Sequence, residues 1–158
     1  GVRPVYATGD TRTVAAQVTA VLAIGDDALR LALEDRFRYR YDLGEIWKRE
    51  TGLPFVFAVF AVREEYCRSH AGELAEIHRE FLRCRARGRE EMYLICSRVA
   101  PRIPMDCEDC YAYLRAIEHD LGAEKQLALE KFFGYLIARG EASAAALPLK
   151  IHRLPAAP

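Results

Sequence analysis

The sequence predicts an α/β protein, and three features of its 158 residues lead to that prediction. The first is an apolar run, Thr19 to Ile24, that stops at Gly25-Asp26-Asp27 and is followed at once by helical spacing. The second is a longer β-branched and aromatic run from Phe55 to Val62. The third is a series of amphipathic helical patterns after Glu64. The length suits one globular domain, or two thin lobes that share one chain.

The first third of the chain alternates strand and helix patterns. Residues 3–7 have strand composition, and Thr13 to Val18 have a short helical pattern. Residues 19–24 lack polar interruption, as in a strand that a parallel sheet buries on both faces. Helical spacing from Ala28 to Leu33 follows, with an Asp as the predicted N-cap. Residues 36–41 alternate charged and aromatic side chains, which predicts an edge strand.

The middle of the chain predicts a short helix and then a long buried strand. Glu45 to Glu50 have helical composition, and this helix is expected to end at Thr51-Gly52, where Gly can take the left-handed conformation of a C-cap. Pro54 then precedes residues 55–62, whose composition predicts a strand buried between other elements.

Helices dominate the remainder of the sequence. Amphipathic patterns predict helices over about 70–85, 106–118 and 124–138, and residues 149–152 are predicted as a final strand. Apolar residues recur at three- and four-residue steps from Leu127 to Ile137. This face therefore has to pack on other elements, which we predict to be a sheet.

The charge balance bears on the partners that the chain can bind. With 23 basic and 23 acidic residues, the formal net charge is zero. Attraction to a phosphate backbone or an anionic membrane scales with the cations that a protein supplies. We therefore expect neither a nucleic acid nor a membrane surface as partner.

The expected location is the cytoplasm. The longest apolar run, Leu53 to Val62, is about ten residues, and a bilayer-spanning helix needs ~20. The first residues do not have the pattern of a secretory signal. Five cysteines are an odd number, which indicates reduced thiols rather than a disulfide framework.

Cys107-Glu-Asp-Cys110 has the C-x-x-C spacing of redox and zinc sites. Zinc needs four ligands, and the nearest candidates, Cys96 and His119, do not form a second close pair. We interpret Cys107 and Cys110 as unmetallated thiols on the first turn of a helix, and a metal or redox site is the alternative. The histidines are interpreted as surface residues.

The turn Gly25-Asp26-Asp27 is the strongest candidate site. Open α/β sheets bind ligands where a buried strand ends and a helix begins, and backbone N–H groups at a helix start attract anions. The two carboxylates could serve acid–base chemistry, or one of them could simply cap the helix. Both interpretations stay open at this point.

Three segments resemble the chorismate dehydratase family of the futalosine route to menaquinone. They are Ala23-Ile-Gly-Asp-Asp-Ala-Leu, Tyr41-Asp-Leu-Gly-Glu-Ile-Trp and Thr51-Gly-Leu-Pro-Phe-Val-Phe-Ala-Val-Phe-Ala-Val. The resemblance implies a type II periplasmic-binding-protein-like fold of two α/β lobes. Residues 1–54 would belong to the second lobe, and residues 55–158 would supply a crossing strand and helices of the first. The family's N-terminal segment would be absent from this chain.

The resemblance implies an enzyme that dehydrates chorismate to 3-[(1-carboxyvinyl)oxy]benzoate, a carbon–oxygen lyase reaction without cofactor or metal. The substrate is a dicarboxylate, and we expect Gly25, Asp26, Asp27, Pro54 and Phe55 to bind it. The catalytic Asn and Ser of the family have no counterparts in this sequence, so no catalytic residue is assigned. A small-anion binding module or an inactive fragment on the same scaffold is the alternative.

Overall fold

A computed structural model describes residues 11–32, 34, 37–102 and 105–153. Eight α-helices occur in this part of the chain: α1 (Thr11–Ala15), α2 (Gly25–Ala32), α3 (Leu43–Thr51), α4 (Glu64–Ser69), α5 (Ala71–Glu90), α6 (Met92–Val99), α7 (Cys107–Ala116) and α8 (Ala123–Ala138). Two short 3₁₀ turns span Ala100–Arg102 and Ala144–Ala146.

The α/β, two-lobe periplasmic-binding-protein-like fold predicted from the sequence is wrong, because no β-strand occurs among the described residues. Residues 19–24, 55–62 and 149–152 have no regular secondary structure, and neither do residues 37–41 of the predicted edge strand. The strand predicted at 3–7 lies outside the described residues.

The reason lies in what a strand requires. A strand exists only when backbone hydrogen bonds join it to a neighbouring strand, and within the described segments none joins 19–24 or 55–62 to another segment. The expected burial is wrong as well, since the side chains of Phe57 and Phe60 are 81% and 87% exposed. Apolar, β-branched composition indicates a preference for pairing but does not supply the paired strand.

Most predicted helices are confirmed, and their ends have local causes. The Asp42 side chain accepts a hydrogen bond from the backbone N–H of Glu45 at 3.0 Å, which caps α3. At the other end Gly52 has a φ of 73° and donates its N–H to the Lys48 carbonyl oxygen. Asp106 caps α7 in the same way, through the Asp109 N–H at 2.8 Å. Helix α6 is an addition that the sequence patterns did not predict.

The chain divides into two compact units, residues 1–40 with 91–117 and residues 41–90 with 118–158. The predicted domain division after residue 54 rests on the resemblance alone and stays a prediction. In the first unit, α6 packs on α7 around Cys96, Ala100 and Cys110, which are buried. Tyr93 of α6 also donates a hydrogen bond to Glu108 of α7 at 3.2 Å.

The second unit is organised around aromatic rings. The only tryptophan, Trp47 of α3, makes edge contacts with Phe55, Phe132 and Tyr135 at centroid distances of 5.7, 5.8 and 6.0 Å. Its ring nitrogen donates a hydrogen bond to the Pro54 carbonyl oxygen at 3.2 Å. The apolar face of α8 therefore packs on these rings rather than on the predicted sheet.

Candidate functional site

The candidate turn at Gly25 forms the beginning of α2. Gly25 has a φ of 61°, a left-handed conformation that favours glycine. Asp26 and Asp27 occupy the first turn of α2, so the helix starts before the predicted N-cap position. Carboxylates in the first turn stabilise a helix because its N-terminus carries a partial positive charge.

The two carboxylates differ in their contacts. Asp27 accepts a hydrogen bond from the Thr11 hydroxyl at 2.7 Å and lies 3.3 Å from a guanidinium nitrogen of Arg30. Arg30 also donates to the Arg102 carbonyl oxygen at 2.9 Å. Asp26 is exposed at the same helix start. Asp27 thus serves the packing of α2, whereas Asp26 can present its carboxylate to a ligand.

Pro54 and Phe55, the other two predicted binding residues, belong to the aromatic cluster. The Phe55 ring lies 5.0 Å from Phe57 and 5.5 Å from Phe132, both in edge orientation. The Pro54 carbonyl accepts the Trp47 hydrogen bond described above. These contacts give both residues a packing role. Gly25, Asp26 and Asp27 belong to the first unit, and Pro54 and Phe55 belong to the second.

A charged depression of about 390 Å³ is a feature that the sequence analysis missed; it is lined by Arg63, Glu64, Glu65 and Arg68. Glu64 pairs with Arg68 on the same helix and with Lys150 at 2.9 Å. The hydrogen bond from Lys150, followed by that from Arg68, lowers the pKa of Glu64. Arg68 is therefore already paired with a carboxylate of its own helix. The i,i+4 spacing of Glu64 and Arg68 predicts their ion pair, but no local pattern in the sequence predicts the contact between Glu64 and Lys150.

A second polar cluster lies where α4 meets α5. The rings of Tyr66 and His70 stack at 4.6 Å, and Ser69 Oγ lies 2.7 Å from His70 Nδ1. The Ser69 hydroxyl donates to the Glu65 carbonyl oxygen at 2.8 Å. A hydrogen bond with Glu73 raises the pKa of Tyr66. Ser69 is therefore held as part of the helix end rather than as an activated nucleophile.

Cys107 and Cys110 lie on the first turn of α7, as predicted, and all five cysteines are free thiols. Within the described ranges no three histidine, cysteine or acidic side chains come together in a way that could hold a metal ion. That these two thiols bind no metal stays a prediction, to be checked by elemental analysis. In the described part of the chain, no helix has the length and apolar character needed to cross a bilayer.

Comparison with known proteins identifies the family. The sequence model of a family described as "Menaquinone biosynthesis" matches residues 1–138. Among curated proteins, the chain is 33% identical over 110 residues to the chorismate dehydratase of Campylobacter jejuni subsp. jejuni serotype O:23/36 (strain 81-176). No solved structure matches the chain.

The chain belongs to the menaquinone biosynthesis family, because the family match includes most of its residues. This match confirms the resemblance found in the three sequence segments. All five predicted binding residues lie within the matched range. The aligned part corresponds to 69% of this chain and 45% of the Campylobacter protein, so it spans less than half the length of that relative.

Proposed function

We propose that this chain forms part of an enzyme that dehydrates chorismate in menaquinone biosynthesis. The observation that carries the proposal is the 33% identity with a chorismate dehydratase. The family match supports a role in the same biosynthesis. The substrate is then a dicarboxylate, and the product is 3-[(1-carboxyvinyl)oxy]benzoate.

The reaction removes a hydroxyl group and a ring hydrogen as water, and the enolpyruvyl ether stays in place. Because the product ring is aromatic, the reaction is favourable overall and the protein has to orient the substrate and accept or deliver a proton. The proposal needs no cofactor. It places the enzyme in the cytoplasm, which agrees with the five free cysteines.

We assign substrate contact to the first turn of α2. Backbone N–H groups at this helix start can bind a substrate carboxylate. The exposed Asp26 can accept a hydrogen bond from a substrate hydroxyl, whereas Asp27 is already engaged with Thr11 and Arg30. Pro54 and Phe55 stay proposed as substrate contacts of apolar character; their polar and ring contacts are made within the aromatic cluster of the second unit.

A chimera tests the proposal directly. In it, residues 1–138 of this chain, the range of the family match, replace the corresponding part of the Campylobacter relative, and chromatography measures the aromatic product formed from chorismate. We expect the chimera to form product well above the uncatalysed rate, with the unmodified relative as positive control. A chimera that has the circular dichroism of a folded protein but produces nothing above background would contradict the proposal.

The same chimera tests Asp26. We expect Asp26→Asn to lower kcat/KM by about tenfold or more, since a hydrogen bond to a charged group is worth ~1.5–3 kcal/mol. Glu124→Gln, a change at an exposed acid in the first turn of α8, is the matched control and should leave the rate unchanged. Equal rates for both variants would remove Asp26 from the site. We expect the 158-residue chain alone to form far less product than the chimera.

A further inference from the structure

Sulfur atoms are concentrated at one place in the first unit. Both methionines of the chain and three of its five cysteines contribute to the cluster that α6 and α7 form. The members are Met92, Cys96, Met105, Cys107 and Cys110. Cys96 and Cys110 are 0% and 1% exposed, and they are the largest fully buried side chains of the described residues. The proposed dehydration uses none of these sulfur atoms.

Cys96 and Cys110 come from different helices and meet in this cluster. Cys96 lies on α6 and Cys110 on α7; the two helices pack on each other, and both side chains belong to the same buried cluster together with Ala100. A disulfide requires the two side chains to approach closely from facing positions. Cys96 and Cys110 are both fully buried in one cluster between packed helices, which places them for such an approach. The alternative partner, Cys107, lies at the rim of the cluster and is partly exposed.

We propose that Cys96 and Cys110 form a reversible disulfide site, closed by hydrogen peroxide and reopened by a dithiol. The disulfide is a covalent modification of two core side chains, and it is independent of the dehydration proposed above.

The chemistry of closure balances without a further reactant. One thiolate attacks an oxygen of hydrogen peroxide, so that an S–O bond forms, the O–O bond breaks and water leaves after protonation. The second thiolate then attacks the sulfenic sulfur; the S–S bond forms, the S–O bond breaks, and a second water leaves. The two sulfur atoms lose two electrons, which the peroxide gains, and both thiol protons end in water.

Burial makes the reaction slow at neutral pH. Desolvation, aided by the hydrogen bond with Cys110, raises the pKa of Cys96 to about 11. The titratable members of the apolar cluster are Cys107, Cys110 and Tyr111, and beside them the Arg115 guanidinium lies 5.9 Å from the centroid of the Tyr111 ring. Because the thiolate is the reactive form, we expect the rate of closure to rise as the pH is raised from about 7 to 9.

Peptide mapping of the whole chain tests the site. The reduced protein is treated with hydrogen peroxide, the remaining thiols are alkylated, and the chain is cut with trypsin and with a protease that cleaves before Asp. Cleavage after Arg98 and Arg102 separates Cys96 from Cys110, and cleavage before Asp109 separates Cys110 from Cys107. We expect the Cys96 and Cys110 peptides to be linked, lighter by two hydrogen atoms, and separated again by dithiothreitol.

Variants identify the pair. Cys110→Ala and Cys96→Ala should each abolish the link, and Cys107→Ser and Cys84→Ser, the latter at an exposed cysteine, should leave it intact. Mapping of the unaltered chain is decisive even where an alanine variant fails to fold. A disulfide that includes Cys107, or oxidation of Cys96 and Cys110 to sulfinic acids without a link, would overturn the proposal.

Discussion

Lys125 on α8 shows how one side chain ties a loop to a helix. Its ammonium group lies 2.5 Å from Glu118 and 2.6 Å from Asp120, and the lysine side chain is 16% exposed. The hydrogen bond with Asp120 is the main cause that raises the pKa of Lys125, and the same bond lowers the pKa of Asp120. Asp120 also accepts the backbone N–H of Gly122 at 3.0 Å, next to the start of α8.

We expect Lys125→Met to flatten the pH dependence of the free energy of unfolding at both extremes. The contribution of Asp120 is complete above its unfolded pKa near 4 and is lost as pH falls through the lower folded value. The contribution of Lys125 is complete below its unfolded pKa near 10.4 and is lost as pH rises through the higher folded value. Urea unfolding across the pH range measures both flanks.

Lys131→Met, at an exposed lysine of the same helix, is the control and should retain the profile of the unaltered chain. High salt should shrink the difference between the two variants, because exposed carboxylates are screened. If the free energy of unfolding of Lys125→Met and that of the unaltered chain changed with pH in the same way, the ion pairs of Lys125 would not be the cause of the pH dependence.

Substitution of Gly52 and of Gly134 by Ala should change the free energy of unfolding in opposite directions. A Cβ atom at either position would meet no atom within 4 Å, so packing does not decide the outcome. Gly52 has a φ of 73°, which costs an L-residue about 1 kcal/mol or more, and Gly52→Ala should destabilise by that amount. Gly134 lies inside α8, where Gly134→Ala should stabilise by about 0.5–1 kcal/mol. Urea unfolding measures both, and effects of equal sign would be inconsistent with a backbone cause.

At the scale of elements, the aromatic cluster joins α3, the 55–62 segment and α8. Phe132 of α8 makes edge contacts with Trp47 at 5.8 Å and with Phe55 at 5.5 Å. We expect Phe132→Ala to destabilise the chain by about 2 kcal/mol, below the ~3–5 kcal/mol of a fully buried Phe, because the ring is only half-buried.

Fluorescence gives the specific readout of that change. Trp47 is the only tryptophan, so a red shift of emission in Phe132→Ala reports water at the indole ring. Phe81→Ala removes a ring that stacks on Phe60 at 4.5 Å outside this cluster, and it should leave the emission unchanged. An equal shift in both variants would show general loosening instead of a local contact.

Helices and strands differ in how far a sequence can determine them. The caps of α3 and α7 depend on residues within four positions of each other, such as Asp42 with Glu45, so the local sequence contains the whole cause. The apolar runs at 19–24 and 55–62 have strand composition, but a strand also needs a partner from elsewhere, and the sequence pattern does not contain one. Helix α6 escaped prediction because its eight residues are fewer than the ~11 over which a helical period can be recognised in a sequence.

The same distinction holds for the candidate site. The sequence placed Gly25, Asp26 and Asp27 at a helix start, and the structure confirms that placement. It could not reveal that Thr11 engages Asp27, or that Lys150 reaches Glu64 across 86 positions, because no local pattern encodes contacts between distant residues.

At the scale of the whole molecule, large apolar side chains stay exposed. Phe57 and Phe60 are the most exposed of them in the second unit, and Leu22 and Ile24 are similarly exposed in the first. Exposed apolar clusters bind hydrophobic dyes and promote association. We expect the double variant Phe57→Ser, Phe60→Ser to bind less anilinonaphthalene sulfonate and to scatter less light at high concentration.

Leu127→Ser is the control for the double variant, since Leu127 is exposed on α8 away from the 55–62 segment in sequence. It should leave dye binding near that of the unaltered chain. If the double variant and the control lower dye binding equally, the 55–62 segment is not the principal dye site.

The single tryptophan and the buried thiol pair lie in different units, which gives each unit its own spectroscopic or chemical reporter. Trp47 belongs to residues 41–90, and Cys96 and Cys110 belong to residues 91–117. In a Cys67→Ser, Cys84→Ser, Cys107→Ser background, which removes the other three thiols, the emission of Trp47 and the reactivity of the two buried thiols toward a chromogenic disulfide can be followed in one denaturant titration. Coincident midpoints would mean that the chain unfolds as one cooperative block, and separate midpoints would assign a stability to each unit without any added label.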